Sequence, residues 1–363
     1  MALLQDLRLT GAKILIEGEL HDTALTLSEG RIATGHAPEV DLSGYWVLPG
    51  IIDLHGDGFE HHLRPRPTAP FDTRRALLSA DAELAAAGVT TAWFAQSWSW
   101  EGGTRSPERA EELMQAVAEM ADKLTADIRV QIRFETHMLD EHDRLVAAMA
   151  RWGVDYLVFN NHLPEAVELA DTKPDRFALW AGYNGHTPEE LLQIVRAAQK
   201  LDAQVPAALA TLAARLQAAG VTMGSHDDGT AAQRGFYRGI GAPICEFPTS
   251  FEAARAARNA AEPVLMGAPN VVRGGSQAGN IAAQALVEEG LCDALVSDYY
   301  APALAQSAWV LADQRAASFP DAWAMISSAP ARIFGLHDRG TLAPGRRADL
   351  VVMNPETRRI EAT

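Results

Sequence analysis

Val47-Leu-Pro-Gly-Ile-Ile-Asp-Leu-His55-Gly-Asp57 is the stretch that decides how this chain is read. An apolar run ends there in a histidine and an aspartate two residues apart. On a β-strand, residues i and i+2 share a face, so the two side chains are expected to converge at the strand's C-terminal end as metal ligands do. A strand with a solvent-facing His and Asp would carry the same letters, and the rest of the sequence has to separate the two readings.

Beyond this run, up to about Leu336, short apolar strand candidates alternate with Ala- and Leu-rich amphipathic segments. The strands are expected at 47–55, 90–94, 128–134, 156–159, 221–224, 243–247, 264–266 and 294–296. Helices are expected over 73–87, 107–123, 143–152, 206–219, 251–261, 278–289, 302–319 and 320–334. Eight alternations of this kind predict an α/β fold, a (β/α)8 TIM barrel with its chemistry at the strands' C-terminal ends. Residues 171–204 form a long polar and aromatic insertion, expected as a lid or a rim helix.

Both ends of the chain read differently. Lys13-Ile-Leu-Ile-Glu17, Ala24-Leu-Thr-Leu27 and Gly30-Arg-Ile-Ala33 alternate between turn signals, and Ala348-Asp-Leu-Val-Val-Met353 does so at the other end. Such short strands cannot bury their apolar faces alone. Residues 1–46 and 338–363 are therefore expected to pair as one small β-sandwich domain, leaving 47–337 as the barrel.

Composition narrows the function classes. The 363 residues are 48% hydrophobic, and 31 Lys plus Arg against 47 Asp plus Glu give a formal charge of −16. That balance argues against nucleic acid or an anionic membrane as the partner, and favours a small-molecule substrate. An anionic substrate stays possible, because a metal and a few arginines can reverse the sign inside a pocket. A homo-oligomer is compatible with the composition. Cys245 and Cys292 both sit in apolar contexts and are expected as buried, reduced thiols. The first residues lack a basic and a long apolar region, and no apolar stretch reaches membrane length, so a soluble cytoplasmic protein is expected.

On the barrel frame, the metal-capable residues fall in one register. Glu135 follows the third strand, His162 the fourth, His226 the fifth and Asp298 the eighth, in company with His55 and Asp57 on the first. Any one of the 11 histidines could be a surface or core residue, but a scattered set would not land at the same end of five strands. His137, His142, His186 and His337 do not fit this register and are read as structural or surface residues.

The chain resembles the amidohydrolase superfamily. More narrowly it is similar to the α-D-ribose 1-methylphosphonate 5-triphosphate diphosphatases of bacterial phosphonate degradation. The resemblance is carried by the opening Leu48 to Asp57 segment, Pro65-Arg66-Pro67, Gly88-Val-Thr-Thr91, Ser225-His-Asp-Asp228 and Glu246-Phe-Pro-Thr-Ser-Phe-Glu-Ala-Ala254. Met266-Gly-Ala-Pro-Asn270, Val272-Arg-Gly-Gly-Ser276, Gly279-Asn280 and Ser297-Asp-Tyr-Tyr300 extend it. The blocks between Ser225 and Tyr300 are specific to the narrower family, whereas the opening strand and Gly88-Val-Thr-Thr91 are shared with many amidohydrolases.

This resemblance implies a site for one or two divalent metals, zinc by its ligand types. His55 and Asp57 would hold the first ion, Glu135 would bridge, and His162 and His226 would hold the second. Asp298 would touch the first metal and serve as the catalytic base. A metal lowers the pKa of its water toward neutrality, and Asp298 can take the proton as phosphorus is attacked. The implied reaction is hydrolysis of a phosphoanhydride, releasing pyrophosphate and leaving a sugar 5-phosphate. Substrate contacts are expected from Arg64, Arg66 and Arg273, and from the Gly274-Gly275-Ser276 turn, whose N–H groups could approach an anion. Asp227 and Asp228 could orient His226 or cap the following helix.

Departures from the family pattern concern substrate more than chemistry. The usual His-Thr-Asp-Asn is here His55-Gly56-Asp57-Gly58, a common Lys is His61, and Gly-Gly-Ser-His-Ser-Gly-Asn reads Gly274-Gly-Ser-Gln277-Ala278-Gly-Asn280. The alternative reading is an amidohydrolase cleaving a C–N bond by deacetylation or deamination, since the same chemistry serves a carbonyl.

Overall fold

The computed structural model describes residues 6–66, 68–276 and 279–363. Pro67, Gln277 and Ala278, the last being the expected start of a helix, lie outside the described residues. Eight parallel strands follow one another around a single sheet in chain order. They are β1 (Ile51–Gly56), β2 (Val89–Trp98), β3 (Asp127–Glu135), β4 (Tyr156–Asn160), β5 (Thr222–His226), β6 (Ile244–Glu246), β7 (Val264–Gly267) and β8 (Ala294–Val296). The sheet closes on itself: Asp298 N–H donates to the His55 carbonyl at 3.0 Å, and Asp57 N–H donates to the Asp298 carbonyl at 2.8 Å. This is a (β/α)8 TIM barrel, with both faces of its parallel sheet covered.

Its interior is filled by Ile52, Leu54, Trp93, Tyr156, Val158, Ile244, Leu265, Ala294 and Val296, all buried. The opposite rows meet the surrounding helices. On β3, for instance, Ile128, Val130, Ile132 and Phe134 belong to the outer apolar layer, which leaves Arg129, Gln131, Arg133 and Glu135 on the inward row. The barrel's polar end is thus prepared by one strand's alternation.

Several boundaries differ from expectation. The run from Val47 to His55 is two strands, because Trp46–Pro49 pairs with Leu350–Asn354 in a separate sheet before β1 enters the barrel. Gly50 makes the transition, where a Cβ would stand 2.4 Å from Thr90 Oγ1. The span 320–334 breaks into Phe319–Ala324 and Ser328–Ile333, and 302–319 shortens to Ala303–Asp313. Ala231–Gly239 and Ala268–Arg273 are helices that the apolar pattern did not suggest. The insertion is three helices, Leu163–Thr172, Pro174–Tyr183 and Pro188–Gln199, with a core of their own around Leu163, Phe177, Leu191 and Val195.

Two sheets accompany the barrel. One orders Arg31–Ala33, Leu25–Ser28, Leu7–Thr10 and Glu39–Asp41; the other orders Arg359–Ala362, Leu350–Asn354, Trp46–Pro49, Lys13–Ile16 and Glu19–Asp22. Leu9, Ile14, Leu25, Ile32, Val47 and Leu342 are buried together, so residues from both chain ends share this core. Among the described residues, no helix is long and apolar enough to cross a membrane.

Barrel closure also rests on a buried carboxylate. Asp53 accepts from Ser297 N–H at 2.9 Å and from Ser297 Oγ at 2.6 Å, tying β1 to the end of β8. Asp53→Ala should lower stability by about 1–3 kcal/mol, because the Ser297 N–H is left buried without an acceptor. Asp53→Asn, which keeps one carbonyl oxygen there, should cost less. Chemical denaturation of the two variants checks the ordering, and equal stabilities would contradict it.

Candidate active site

The C-terminal ends of the strands open on a cavity of about 290 Å³. Its lining includes Asp57, His226, Asp227, Asp298, Arg105, Arg133, Arg273, Gly275 and Ser276. Three positions just past a strand are held in the left-handed region: Asp227 at φ 61°, Phe247 at φ 51° and Asp298 at φ 55°. Non-glycine residues adopt this conformation at a cost, and Asp bears it better than most. Here each turns the chain sharply as it leaves β5, β6 or β8.

His55 lies deeper, 1% exposed, at the floor of this end of the barrel. A register irregularity between Asp53 and Gly56 interrupts the alternation of β1, so simple i, i+2 reasoning does not describe the pair. Asp57 falls beyond the strand and reaches the mouth, with Oδ2 3.4 Å from Arg133 Nη1. The His55 ring stands 5.4 Å from the His226 ring, centroid to centroid, and its Nδ1 is 2.7 Å from Glu246 Oε2.

Glu246 is fully buried and was not singled out by the sequence reading. It accepts from Gln131 Nε2 at 2.7 Å and from the Tyr156 hydroxyl at 2.5 Å, besides facing His55. A carboxylate so thoroughly occupied orients the imidazole rather than offering a free oxygen to an ion. The negative charge of Glu246, with its hydrogen bond, outweighs the effect of burial and raises the His55 pKa.

A second group gathers Glu135, His162 and Glu101. His162 Nδ1 is 2.5 Å from Glu135 Oε1, and Glu135 Oε2 also accepts from Trp100 Nε1 and the His162 N–H. Glu101, fully buried, is committed to Arg105 through both oxygens, at 3.1 and 3.0 Å, and to Trp180 Nε1 at 2.6 Å. It too is better placed to hold its neighbours than to bind an ion. The six expected residues therefore lie in two adjacent groups. Arg133, buried on the inward row of β3, stands among them and acts electrostatically on His55, Glu135, His162, His226 and Asp298 alike.

The donor chemistry fits a borderline divalent cation. Among the described residues, the Nδ1 atoms of His162 and His226 are buried without a hydrogen-bond partner, although each has a carboxylate oxygen beside it. Imidazole nitrogens facing carboxylates out of hydrogen-bond alignment are a ligand set for zinc or a similar ion. Local charge supports this. Burial, and then the charge of Asp57, push the Asp298 carboxyl up to about 6 and the Glu60 carboxyl up to about 7. Asp227 goes the other way: burial opposes its ionisation, but the charge and contact of His226 hold it at about 2.

The expected anion contacts are redistributed. Arg66 is exposed and pairs its backbone with Ala69, while Arg64 lines a separate crevice with Pro70, Phe71 and Arg109, so neither borders the mouth. Arg273 does border it, 3.1 Å from the Tyr299 hydroxyl. Gly274 and Gly275 spend their N–H groups on the Val271 and Asn270 carbonyls, closing the helix Ala268–Arg273, and so cannot cradle an anion. Ser276 remains on the cavity wall. Asp228 accepts from Ser225 Oγ and Arg234 beneath the floor; it neither touches His226 nor caps the next helix, which Thr230 caps. His61 points away from the mouth and contacts Glu83.

Residues 59–363 match the model of the amidohydrolase family, and the chain belongs to that family of hydrolases. The α-D-ribose 1-methylphosphonate 5-triphosphate diphosphatase of Escherichia coli (strain K12) is 33% identical over 360 residues, covering 95% of this chain and 94% of that protein. Among solved structures, a putative prolidase from Bifidobacterium longum superposes with a TM-score of 0.64 at 15% identity, over 97% of this chain and 89% of the other. The N-acetylglucosamine-6-phosphate deacetylase of Pasteurella multocida gives 0.62 at 10% identity, over 98% and 97%. These last two establish a shared fold.

The helical insertion reaches the site through Glu101, since Trp180 donates to its carboxylate and His186 Nε2 meets its carbonyl at 3.0 Å. Trp180→Phe removes a bond to a charged acceptor worth about 1.5–3 kcal/mol. Amide exchange across residues 163–199 should then speed up by roughly one to two orders of magnitude. Unchanged exchange would show that the insertion is held by its apolar core alone.

Proposed function

We propose that this hydrolase cleaves a phosphoanhydride, releasing pyrophosphate from a triphosphorylated ribose phosphonate in phosphonate catabolism. The observation that carries the reading is the cationic wall of the mouth: Arg105, Arg133 and Arg273 border the cavity that Asp57, His226 and Asp298 also line. In a chain of net charge −16, three guanidiniums at the site suit a polyanion, Arg273 above all, since Arg105 and Arg133 also face Glu101 and Asp57. Similarity to the diphosphatase of E. coli supports the same substrate class.

His55, Asp57, Glu135, His162, His226 and Asp298 would hold one or two divalent ions, zinc by their nitrogen and carboxylate donors. A bound ion supplies a nucleophile from water near neutral pH and offsets charge on phosphoryl oxygens. Glu246 fixes the His55 ring by holding Nδ1, which leaves Nε2 as the nitrogen free for coordination. Asp298 takes the proton as the water oxygen bonds to phosphorus and the phosphorus–oxygen bond to pyrophosphate breaks. Arg273, with no acidic partner among the described residues, keeps its full charge for the terminal phosphates, whereas Arg105 spends much of its own on Glu101.

Two measurements test this. Asp298→Asn should lower turnover by on the order of 10²–10⁴ while metal content stays largely intact. A proton acceptor must be ionised, so activity should be present above the Asp298 pKa of about 6 and fall as pH drops through it, with a bound cation moving that limb lower. Near-normal turnover in the variant would show that another group takes the proton. The second measurement compares pyrophosphate release from a ribose triphosphate analogue with hydrolysis of an N-acyl compound, in wild type, Arg273→Ala and Arg66→Ala. Arg273→Ala should raise KM for the triphosphate about 10- to 100-fold, from a charge-assisted bond of about 1.5–3 kcal/mol. Arg66→Ala should match wild type. Turnover of the N-acyl compound alone, indifferent to Arg273, would overturn the phosphoanhydride reading in favour of C–N cleavage.

A further inference from the structure

Outside the mouth, one more group of side chains has the composition of a metal site. The short helix α1 (Glu60–Leu63) follows β1, and the helix α2 (Thr73–Ala86) packs beside it. His61 Nε2 lies 3.1 Å and His62 Nε2 2.7 Å from the same oxygen, Glu83 Oε2. The two rings are 4.0 Å apart, centroid to centroid, and tilted by 40°. Two imidazoles aiming the same ring nitrogen at one carboxylate oxygen make an unusual convergence for three neighbouring surface side chains.

The distances can be compared with what an ion would require. Ligands about 2.0–2.1 Å from a tetrahedral zinc lie about 3.3 Å from one another. The His61 contact to Glu83, at 3.1 Å, is close to that edge and the His62 contact, at 2.7 Å, is shorter, so an ion could enter between the three groups if His62 and Glu83 moved apart by roughly half an ångström. Access is open on one side: the His61 side chain is 55% exposed, while His62 at 19% and Glu83 at 30% are partly sheltered. That leaves a fourth position facing solvent. Two nitrogen donors and one oxygen donor select zinc, nickel or copper over magnesium or calcium, which prefer oxygen cages.

We propose that His61, His62 and Glu83 form a second metal site, for a borderline divalent transition-metal ion, separate from the catalytic mouth. None of the three lines that cavity. Such an ion would clamp α1 against α2, just past the turn that carries Asp57. Its role is thus structural, and its occupancy does not depend on which substrate the enzyme hydrolyses.

The test uses the purified, metal-loaded full-length protein. After equilibrium dialysis against zinc, wild type should retain one ion per chain more than His61→Ala or Glu83→Gln, by elemental analysis. Turnover with the catalytic ions in place should be the same in all three. Equal ion counts in wild type and both variants would overturn the proposal. Because a variant could fail to fold, wild-type crystals soaked in nickel give an independent reading. An anomalous peak between His61, His62 and Glu83 supports the site, and its absence in crystals that show the catalytic ions overturns it.

Discussion

Closure of the barrel and construction of the site are the same event in this protein. The last strand meets the first through backbone hydrogen bonds that Asp298 exchanges with His55 and Asp57. All three are among the residues proposed to hold the metal. If β1 and β8 failed to pair, the barrel would lose its final seam, and these groups would lose their mutual positions. Asp53 reinforces the seam from below by binding both polar hydrogens of Ser297. The left-handed turn at Asp298 is tolerated because this pairing holds both its N–H and its carbonyl.

The second constraint is electrostatic. Carboxylates from several strand ends, Asp57, Glu101, Glu135, Asp227, Glu246 and Asp298, converge where the dielectric is low, and each would oppose ionisation of the others. Arg133 and Arg105, both inward, are the fold's own answer, one facing Asp57 and the other Glu101. They do not balance the account, for Asp298 and Glu60 are still pushed upward by burial and by Asp57. A site with a residual excess of negative charge, two unpartnered imidazole nitrogens and a solvent-open mouth is suited to a divalent cation. That follows from the donors themselves.

Much of this was legible from residue order. Eight apolar runs alternating with amphipathic segments imposed the barrel, because a parallel sheet buried on both faces leaves near-continuous hydrophobic strands. Placement at strand ends then pointed to His55, Glu135, His162, His226 and Asp298. What the reading missed has physical causes. Arg133 lay in plain sight in Ile128-Arg-Val-Gln-Ile-Arg-Phe-Glu135, where strict alternation puts it on the same face as Glu135. Glu101 was hidden because β2 runs to Trp98, several residues beyond the expected end at Phe94. Glu246 was inside an expected strand, but nothing local says that its partner is 191 positions away. The Gly274-Gly275 turn misled for a related reason: a glycine pair after a helix reads equally as an anion cradle or a helix end, and hydrogen bonding decides for the end.

The redistribution of arginines bears on how the substrate would be read. A loop held by Pro65 kept Arg64 and Arg66 near the metal strand in sequence, yet the chain turns them outward before α2 begins. The cations that do reach the mouth come from three different elements, the loop after β2, the strand β3 and the helix after β7. Positive charge is therefore spread around the rim, and no single loop carries it. With the deepest guanidinium on a barrel strand and the outermost on a helix end, the site can grade its contacts by depth. The phosphorus under attack would lie near Arg133 and Asp298, and the departing phosphates near Arg273. Under the proposed reaction, such an arrangement would tie the reacting bond to the rigid barrel and leave the leaving group to the more exposed rim, so that the product would depart without disturbing the seam between β1 and β8.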